Sequence, residues 1–161
     1  MRSWLSALLL VLTSQTAMAE EVFLQSQSQA SKRYAVLEDD GKVAFLYLTE
    51  PGLPKPMKDA IVYSRVPPVE AVDWERIKKS GQTPLLRKDL ASPTAILKDP
   101  KASEFKLKWS IDGEAVAVLR NGQPIAFAAA KERFGYSKAV STSSPLANAW
   151  DQPRYVSLFG E

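Results

Sequence analysis

Apolar and polar residues alternate most regularly between residues 104 and 130. From Glu104 to Ile111, Phe105, Leu107, Trp109 and Ile111 fall on one side and Lys106, Lys108 and Ser110 on the other, the pattern of a half-buried strand. Asp112-Gly113 follows, then the apolar run from Glu114 to Arg120, then Asn121-Gly122, then Gln123 to Ala130. Both dipeptides suit two-residue type I′ turns, which need positive φ at the turn positions. Two such turns set Trp109 opposite Val116 and Leu107 opposite Val118. They also set Val118 opposite Ile125 and Val116 opposite Phe127. All six side chains then share one buried face, and a one-residue slip would divide them between faces. Trp109 is expected in the core.

Similar signals lie upstream. Tyr34 to Glu38 and Val43 to Thr49 are rich in β-branched and aromatic residues and flank Asp39-Asp40-Gly41, a hairpin signature. Ala60 to Val66 reads as a further strand stopped by Pro67-Pro68. Residues 20–31, with Gln25, Ser26, Gln27, Ser28 and Gln29 in succession, read as a loose arm that Val22, Phe23 and Leu24 could pin. The segment 67–103 is a proline-rich insertion holding Pro67, Pro68, Pro84, Pro93 and Pro100. Within it Asp73 is a good N-cap and Gly81 a good C-terminal stop for a short helix, with Trp74 and Ile77 on one face. Beyond it, Tyr136 to Val140 reads as a strand, Ser141 to Pro153 as a polar loop around Trp150, and Arg154 to Phe159 as a last strand. The expected architecture is mainly β: an antiparallel meander forming a curved sheet or sandwich, with one or two short helices.

The first 19 residues change the setting. Arg2, the apolar run Trp4 to Leu12 and the small residues of Ala17-Met18-Ala19 form the three parts of a secretory signal, with cleavage after Ala19. The apolar run is too short for a membrane span, which needs about 20 residues, so no stable membrane insertion is expected. The expected location is the periplasm. Cleavage would leave 142 of the 161 residues as one domain, residues 20–161, and losing Arg2 would lower the formal charge from +3 to +2. So small a charge gives no reason to expect a nucleic-acid partner, and is compatible with an acidic protein or an anionic surface.

The chain has no histidine and no cysteine, which removes imidazole and thiolate chemistry together: the Ser-His-Asp triad, cysteine nucleophiles and the usual zinc sites. No glycine-rich phosphate loop occurs. The remaining candidates are carboxylates at turns, Glu38, Asp39, Asp40, Asp112 and Glu114. Asp before Gly is turn chemistry, and a carboxylate cluster at a hairpin tip is expected to be solvated. Calcium at such a tip and acid-catalysed hydrolysis by Asp39 or Asp40 are the sharper readings of the same residues. Ser137 and Lys138 are adjacent on an expected strand, so they point to opposite faces and cannot form a dyad. The expectation is a protein without catalytic residues, cofactor or metal. Arg87, Lys88, Lys98, Lys101, Lys106 and Lys108 make a loosely basic stretch. Loops on a rigid scaffold concentrate binding residues. The expected partner contacts are therefore Trp74, Arg76, Lys78, Lys79, Arg87 and Lys88 in the insertion, with Trp150 in the second loop.

Several segments resemble a family of small uncharacterised bacterial proteins over roughly residues 34–138. They are Glu38-Asp39-Asp40-Gly41 with Phe45 and Tyr47, Asp59-Ala60-Ile61-Val62-Tyr63, Trp109-Ser110-Ile111-Asp112-Gly113 with Ala115 and Ala117, and Arg120-Asn121-Gly122-Gln123-Pro124. The chain departs from that family in its insertion at 67–103. These are turn and core motifs, so the resemblance implies a fold and no chemistry. By type, not by motif, a small exported domain without a catalytic set is similar to the periplasmic immunity proteins of type VI secretion systems. That likeness implies a partner, a secreted envelope-targeting toxin such as a phospholipase or cell-wall hydrolase, whose active site the chain would occlude. The alternative is a non-enzymatic envelope structural protein or a lipid or glycan binder, which would need an apolar cavity in the sheet.

Overall fold

A computed structural model describes residues 20–160. The expected signal peptide, residues 1–19, lies outside them. The described chain is mainly β, with nine strands in two sheets. The first sheet runs in the order β1 (Phe23–Gln27), β2 (Tyr34–Asp39), β3 (Val43–Thr49), β4 (Pro56–Ser64), all antiparallel neighbours. The second runs β5 (Phe105–Trp109), β6 (Ala115–Arg120), β7 (Gln123–Ala129), β8 (Tyr136–Ser137), β9 (Asn148–Ala149), with only the β8–β9 pair parallel. Helix α1 (Trp74–Ser80) lies in the insertion, and α2 (Gln152–Phe159) ends the described chain. A 3₁₀ turn at Ala102–Glu104 leads into β5.

Alternation along the strands builds the core. Inward residues Ala35, Leu37, Leu46 and Leu48 of the first sheet meet Phe105, Val116, Val118, Ala126 and Ala128 of the second, as in a sandwich. Within the polar arm expected at 20–31, Phe23–Gln27 is instead a paired strand. Val22 is fully buried in this core, Leu24 packs on it, and Ser26 Oγ accepts a 3.0 Å bond from Trp109 Nε1. Those inward residues make a Gln/Ser-rich segment a strand, while Phe23, half exposed, faces out.

The expected register holds in the first hairpin of the second sheet and fails in the second. Trp109 faces Val116 and Leu107 faces Val118. Trp109 is only half buried, however, and the loop is longer than two residues. Ser110 N–H bonds Ala115 C=O at 2.9 Å, and Asp112 Oδ1 accepts from the Ser110 hydroxyl at 2.8 Å and the Glu114 amide at 3.0 Å. Ile111 is thereby expelled from the ladder and fully exposed, at 101%. The Asn121-Gly122 turn has the expected positive φ at both residues, 51° and 80°. A bulge then shifts the pairing, so Val118 faces Ala126 and Val116 faces Ala128. Pro124, opposite Leu119, has no N–H for the ladder, and strands accommodate proline at bulges. The shift turns Phe127 to the other face, where it forms a separate cluster with Ala117 and Tyr155.

That cluster also decides the fold of the C-terminal segment. Residues 154–159, expected as a strand, belong to α2. Asp151 caps the helix through Oδ1 and the Arg154 amide at 2.9 Å, and Pro153 sits in its first turn, where its missing N–H costs nothing. Tyr155 and Phe159, one turn apart, both pack on Phe127, with ring centroids 5.9 and 5.8 Å away. Strand β8 is only Tyr136–Ser137, shorter than expected, and the 141–153 loop contains β9. Strand β4, expected over 60–66, begins at Pro56.

The insertion is not a loose surface loop. Leu86 and Ala95 are buried against Val43, Phe45 and Ile61 on the outer face of the first sheet, joined by Val140 and Ala147. Ser64 N–H bonds Ala95 C=O and Leu97 N–H bonds Ser64 C=O, so the insertion also covers the β4 edge.

Candidate functional site

The insertion covers the half of this outer face nearest the β2–β3 hairpin tip and raises α1 beside that tip. The helix is defined by its ends, as expected. Asp73 accepts from the Arg76 amide at 3.1 Å, and Gly81, in the left-handed region at φ 68°, closes it with a 2.9 Å bond to Ile77 C=O. None of its seven residues is buried. Seven residues are too few to be stable on propensity alone, so the two caps and the flanking chain hold it in place.

A cleft of about 370 Å³ separates α1 from the hairpin tip. Val69, Val72, Ile77 and Leu85 give it apolar walls; Asp40, Lys42, Asp73 and Arg76 supply its charges. Thr83 closes one side by donating its hydroxyl to Asp40 Oδ2. The Lys42 and Val43 amides, each 2.9 Å away, donate to the other Asp40 oxygen. Burial opposes ionisation of this carboxyl, but the Thr83 hydroxyl, the two amides and the Lys42 charge outweigh it and hold the group below its ordinary value. Such an environment suits a fixed acceptor and not a group that delivers a proton near neutral pH. Asp73 is spent on the helix cap.

Asp39 differs from the solvated residue expected at a hairpin tip. Its side chain is fully buried, accepting from Tyr63 Oη at 2.5 Å, Arg65 Nε at 2.6 Å and the Gly41 amide at 2.8 Å. It faces the core because alternation puts Glu38 and Asp40 on the outer side and Asp39 on the inner one. Arg65 also donates to the Glu20 carbonyl at 2.9 Å, so this buried pair ties the hairpin tip to the start of the described chain. No group of three or more carboxylates assembles into a metal cage among the described residues.

The structure separates the expected contact residues into three places. Trp74, Lys78 and Lys79 stand on the exposed surface of α1, with Trp74 52% exposed; Ile77, expected on the Trp74 face, turns to the cleft with Arg76. Arg87 is engaged by Asp89, with Nε 2.9 Å from Oδ1, and Lys88 by Glu70 at 2.9 Å, so both are paired at the surface. Trp150 belongs elsewhere: it packs edge-on to Phe127 at 5.4 Å and lies 5.5 Å from Tyr155, with Lys138 Nζ 4.7 Å above its ring. It is part of the cluster beneath α2 and does not join α1.

A second groove, of about 640 Å³, lies on the uncovered half of the same sheet face, over Tyr34, Val36 and Tyr47. Nothing in the reading of the sequence singled it out, although outward Tyr34, Val36 and Glu38 alternate with inward Ala35 and Leu37 along β2. Both grooves are open to solvent; neither is the enclosed apolar cavity that a lipid carrier needs.

The chain matches no family model, no curated protein and no solved structure.

Proposed function

We propose that this chain is an exported binding protein that serves as a periplasmic immunity protein, docking on a secreted type VI envelope-targeting toxin and occluding its active site. One observation carries the reading. Helix α1 holds a half-exposed Trp74 beside Lys78 and Lys79, which make no ion pair among the described residues, on a short capped helix raised above a packed sheet. Tryptophan is enriched among the residues that anchor interfaces, and the two free ammonium groups beside it favour an acidic partner. The toxin surface that fits is concave and acidic, with an apolar floor for the indole. The adjacent cleft gives that partner an edge to grip.

The test is to look among the neighbouring genes for a secreted lipase or hydrolase and to co-express it with this chain. The wild-type chain should protect the cell and co-purify with the toxin. Trp74→Ala and Lys78→Glu/Lys79→Glu should each reduce protection while the sheet stays folded, since none of these side chains belongs to its core and any loss of helix–dipole pairing is confined to α1. A wild-type chain that neither protects nor co-purifies ends the immunity reading. Protection that survives both changes moves the docking surface away from α1.

A further inference from the structure

The outer face of the first sheet is a step. The insertion raises the half over Val43, Phe45 and Ile61, while the half over Tyr34 and Val36 is bare; Tyr47 lies at the boundary, packed against the raised cluster and lining the groove. Helix α1 and the bare half carry opposite net charge. On the raised half, α1 holds Lys78 and Lys79 on its exposed surface and Arg76 toward the cleft, against the single helical carboxylate Glu75. On the bare half the register sets Gln25, Val36, Tyr47 and Asp59 in one row across four strands, with Glu38 diagonal to Tyr47. The carboxylates of Glu38 and Asp59 and the hydroxyls of Tyr34 and Tyr47 make no hydrogen bond or ion pair among the described residues. The Tyr47 phenol registers this field: burial, and then Glu38, Asp59 and Asp40, push it up to about 12.

We propose that a second copy of this chain covers this face, α1 of each copy lying in the sheet groove of the other about a twofold axis. Three features support it. A raised half beside a recessed half is complementary to itself when rotated by a twofold, because each step fills the other's gap. The charges match in the same arrangement: Lys78 and Lys79 of one copy meet Glu38 and Asp59 of the other. The aromatic groups match as well, since Trp74 and the flanking ammonium groups find the faces of Tyr34 and Tyr47. The contact closes on itself, so it yields a dimer and not a fibre. It shares α1 with the docking surface assigned to the toxin, so dimer and toxin complex exclude each other, but it does not depend on that assignment.

Sedimentation velocity of the chain 20–161 tests this, over about 5–500 µM in low salt, the range in which weak, charge-steered contacts dissociate. Wild type should shift from monomer to dimer with concentration, and raising salt to about 0.5 M should weaken the dimer at least tenfold. A groove variant, Glu38→Lys/Asp59→Lys, and a helix variant, Lys78→Glu/Lys79→Glu, should each remain monomeric because both like-charged contacts repel. An equimolar mixture of the two variants should dimerise again, since each contact in the mixed pair regains opposite charges. Restoration also shows that both variants are folded. As a check free of substitutions, dilution of wild type should shift the NMR signals of the Tyr34 and Tyr47 rings and the Trp74 indole together. A monomeric wild type throughout the range, a dimer insensitive to both swaps, or a mixture that stays monomeric would each overturn the proposal. A dimer without toxin protection, or protection by a strict monomer, tells its failure from that of the immunity reading.

Discussion

Replacing Asp39 by asparagine probes the charge that fixes the hairpin tip. Asparagine keeps the shape, and its Oδ1 can still accept from the Gly41 amide 2.8 Å away. Its Nδ2 then occupies the position of Oδ2, facing Tyr63 Oη at 2.5 Å and Arg65 Nε at 2.6 Å. The tyrosine hydroxyl can rotate and accept; the guanidinium has only donors. Arg65 is left charged against another donor, and its side chain is only 11% exposed. Breaking one side of a buried pair costs about 3–5 kcal/mol. Arg65 keeps its 2.9 Å bond to the Glu20 carbonyl, so the lower end, about 3 kcal/mol, is expected. Urea unfolding followed by tryptophan fluorescence reads this directly. With a slope of about 2 kcal/mol/M, the midpoint should fall by about 1.5 M. Asp39→Leu combined with Arg65→Met removes both charges and should recover most of the loss, because apolar replacement of a buried pair is often neutral. A midpoint within about 0.3 M of wild type for Asp39→Asn would show that Arg65 finds water in place of its partner, and the argument from burial would fail.

Other consequences follow from single contacts. Gly135→Ala would place a Cβ against Ala60 Cβ, 2.7 Å from Asp59 C=O and 2.9 Å from Phe127 C=O, so overpacking should cost about 1–3 kcal/mol; an unchanged thermal midpoint would contradict that close approach. Asp151→Ala removes the α2 cap and should cost about 1 kcal/mol, with the loss seen as faster amide exchange confined to residues 152–159. Tyr47 should titrate near 12 by phenolate absorbance, above its ordinary 10.0. The unfolded chain releases this proton at lower pH than the folded one, so the stability it contributes is complete below pH 10 and is lost as pH rises toward 12. Tyr47→Phe should flatten that part of the alkaline slope, while Tyr63, also pushed up by burial, keeps its own share. A Tyr47 phenolate already formed at its ordinary value would show the groove to be more open than its lining suggests.

Local structure was legible where one dipeptide or one periodicity decided the outcome. Asn121-Gly122 formed its type I′ turn, Asp73 and Gly81 bounded α1, and alternation along 105–109 set the first register correctly. It was illegible where an irregularity had no local signature. Residues 123–130 looked like a regular strand, but a bulge next to Pro124 sends Phe127 to the opposite face. Pro153 after Asp151 was a helix-start signal hidden inside a segment whose Tyr155, Val156, Leu158 and Phe159 have high strand propensity. Tertiary packing on Phe127 decided for helix. The Gln/Ser run of 25–29 carried too little apolar character to show as a strand, and the neighbours that hold it, Trp109 against Ser26 and Gly113 against Ser28, lie more than eighty residues away.

The candidate site was legible only in part, for a related reason. Trp74, which the usual burial of large aromatics would tuck under its own loop, is instead half exposed, because a seven-residue helix capped at both ends has too few positions to bury a large indole under itself. Trp150 is the opposite case. An isolated tryptophan in a polar loop carries no local sign of whether it faces solvent or core, and its burial rests on Phe127, placed there by a bulge two strands away. The same logic separates the carboxylates. Glu38, Asp39 and Asp40 are indistinguishable as a run of acids. Strand alternation assigns Asp39 to the core, where only Arg65 and Tyr63 make its charge tolerable, and leaves Glu38 facing the bare groove and Asp40 holding Thr83. Of these three acids, the one left free on the outer face is therefore Glu38, which turn chemistry did not need and the core did not take.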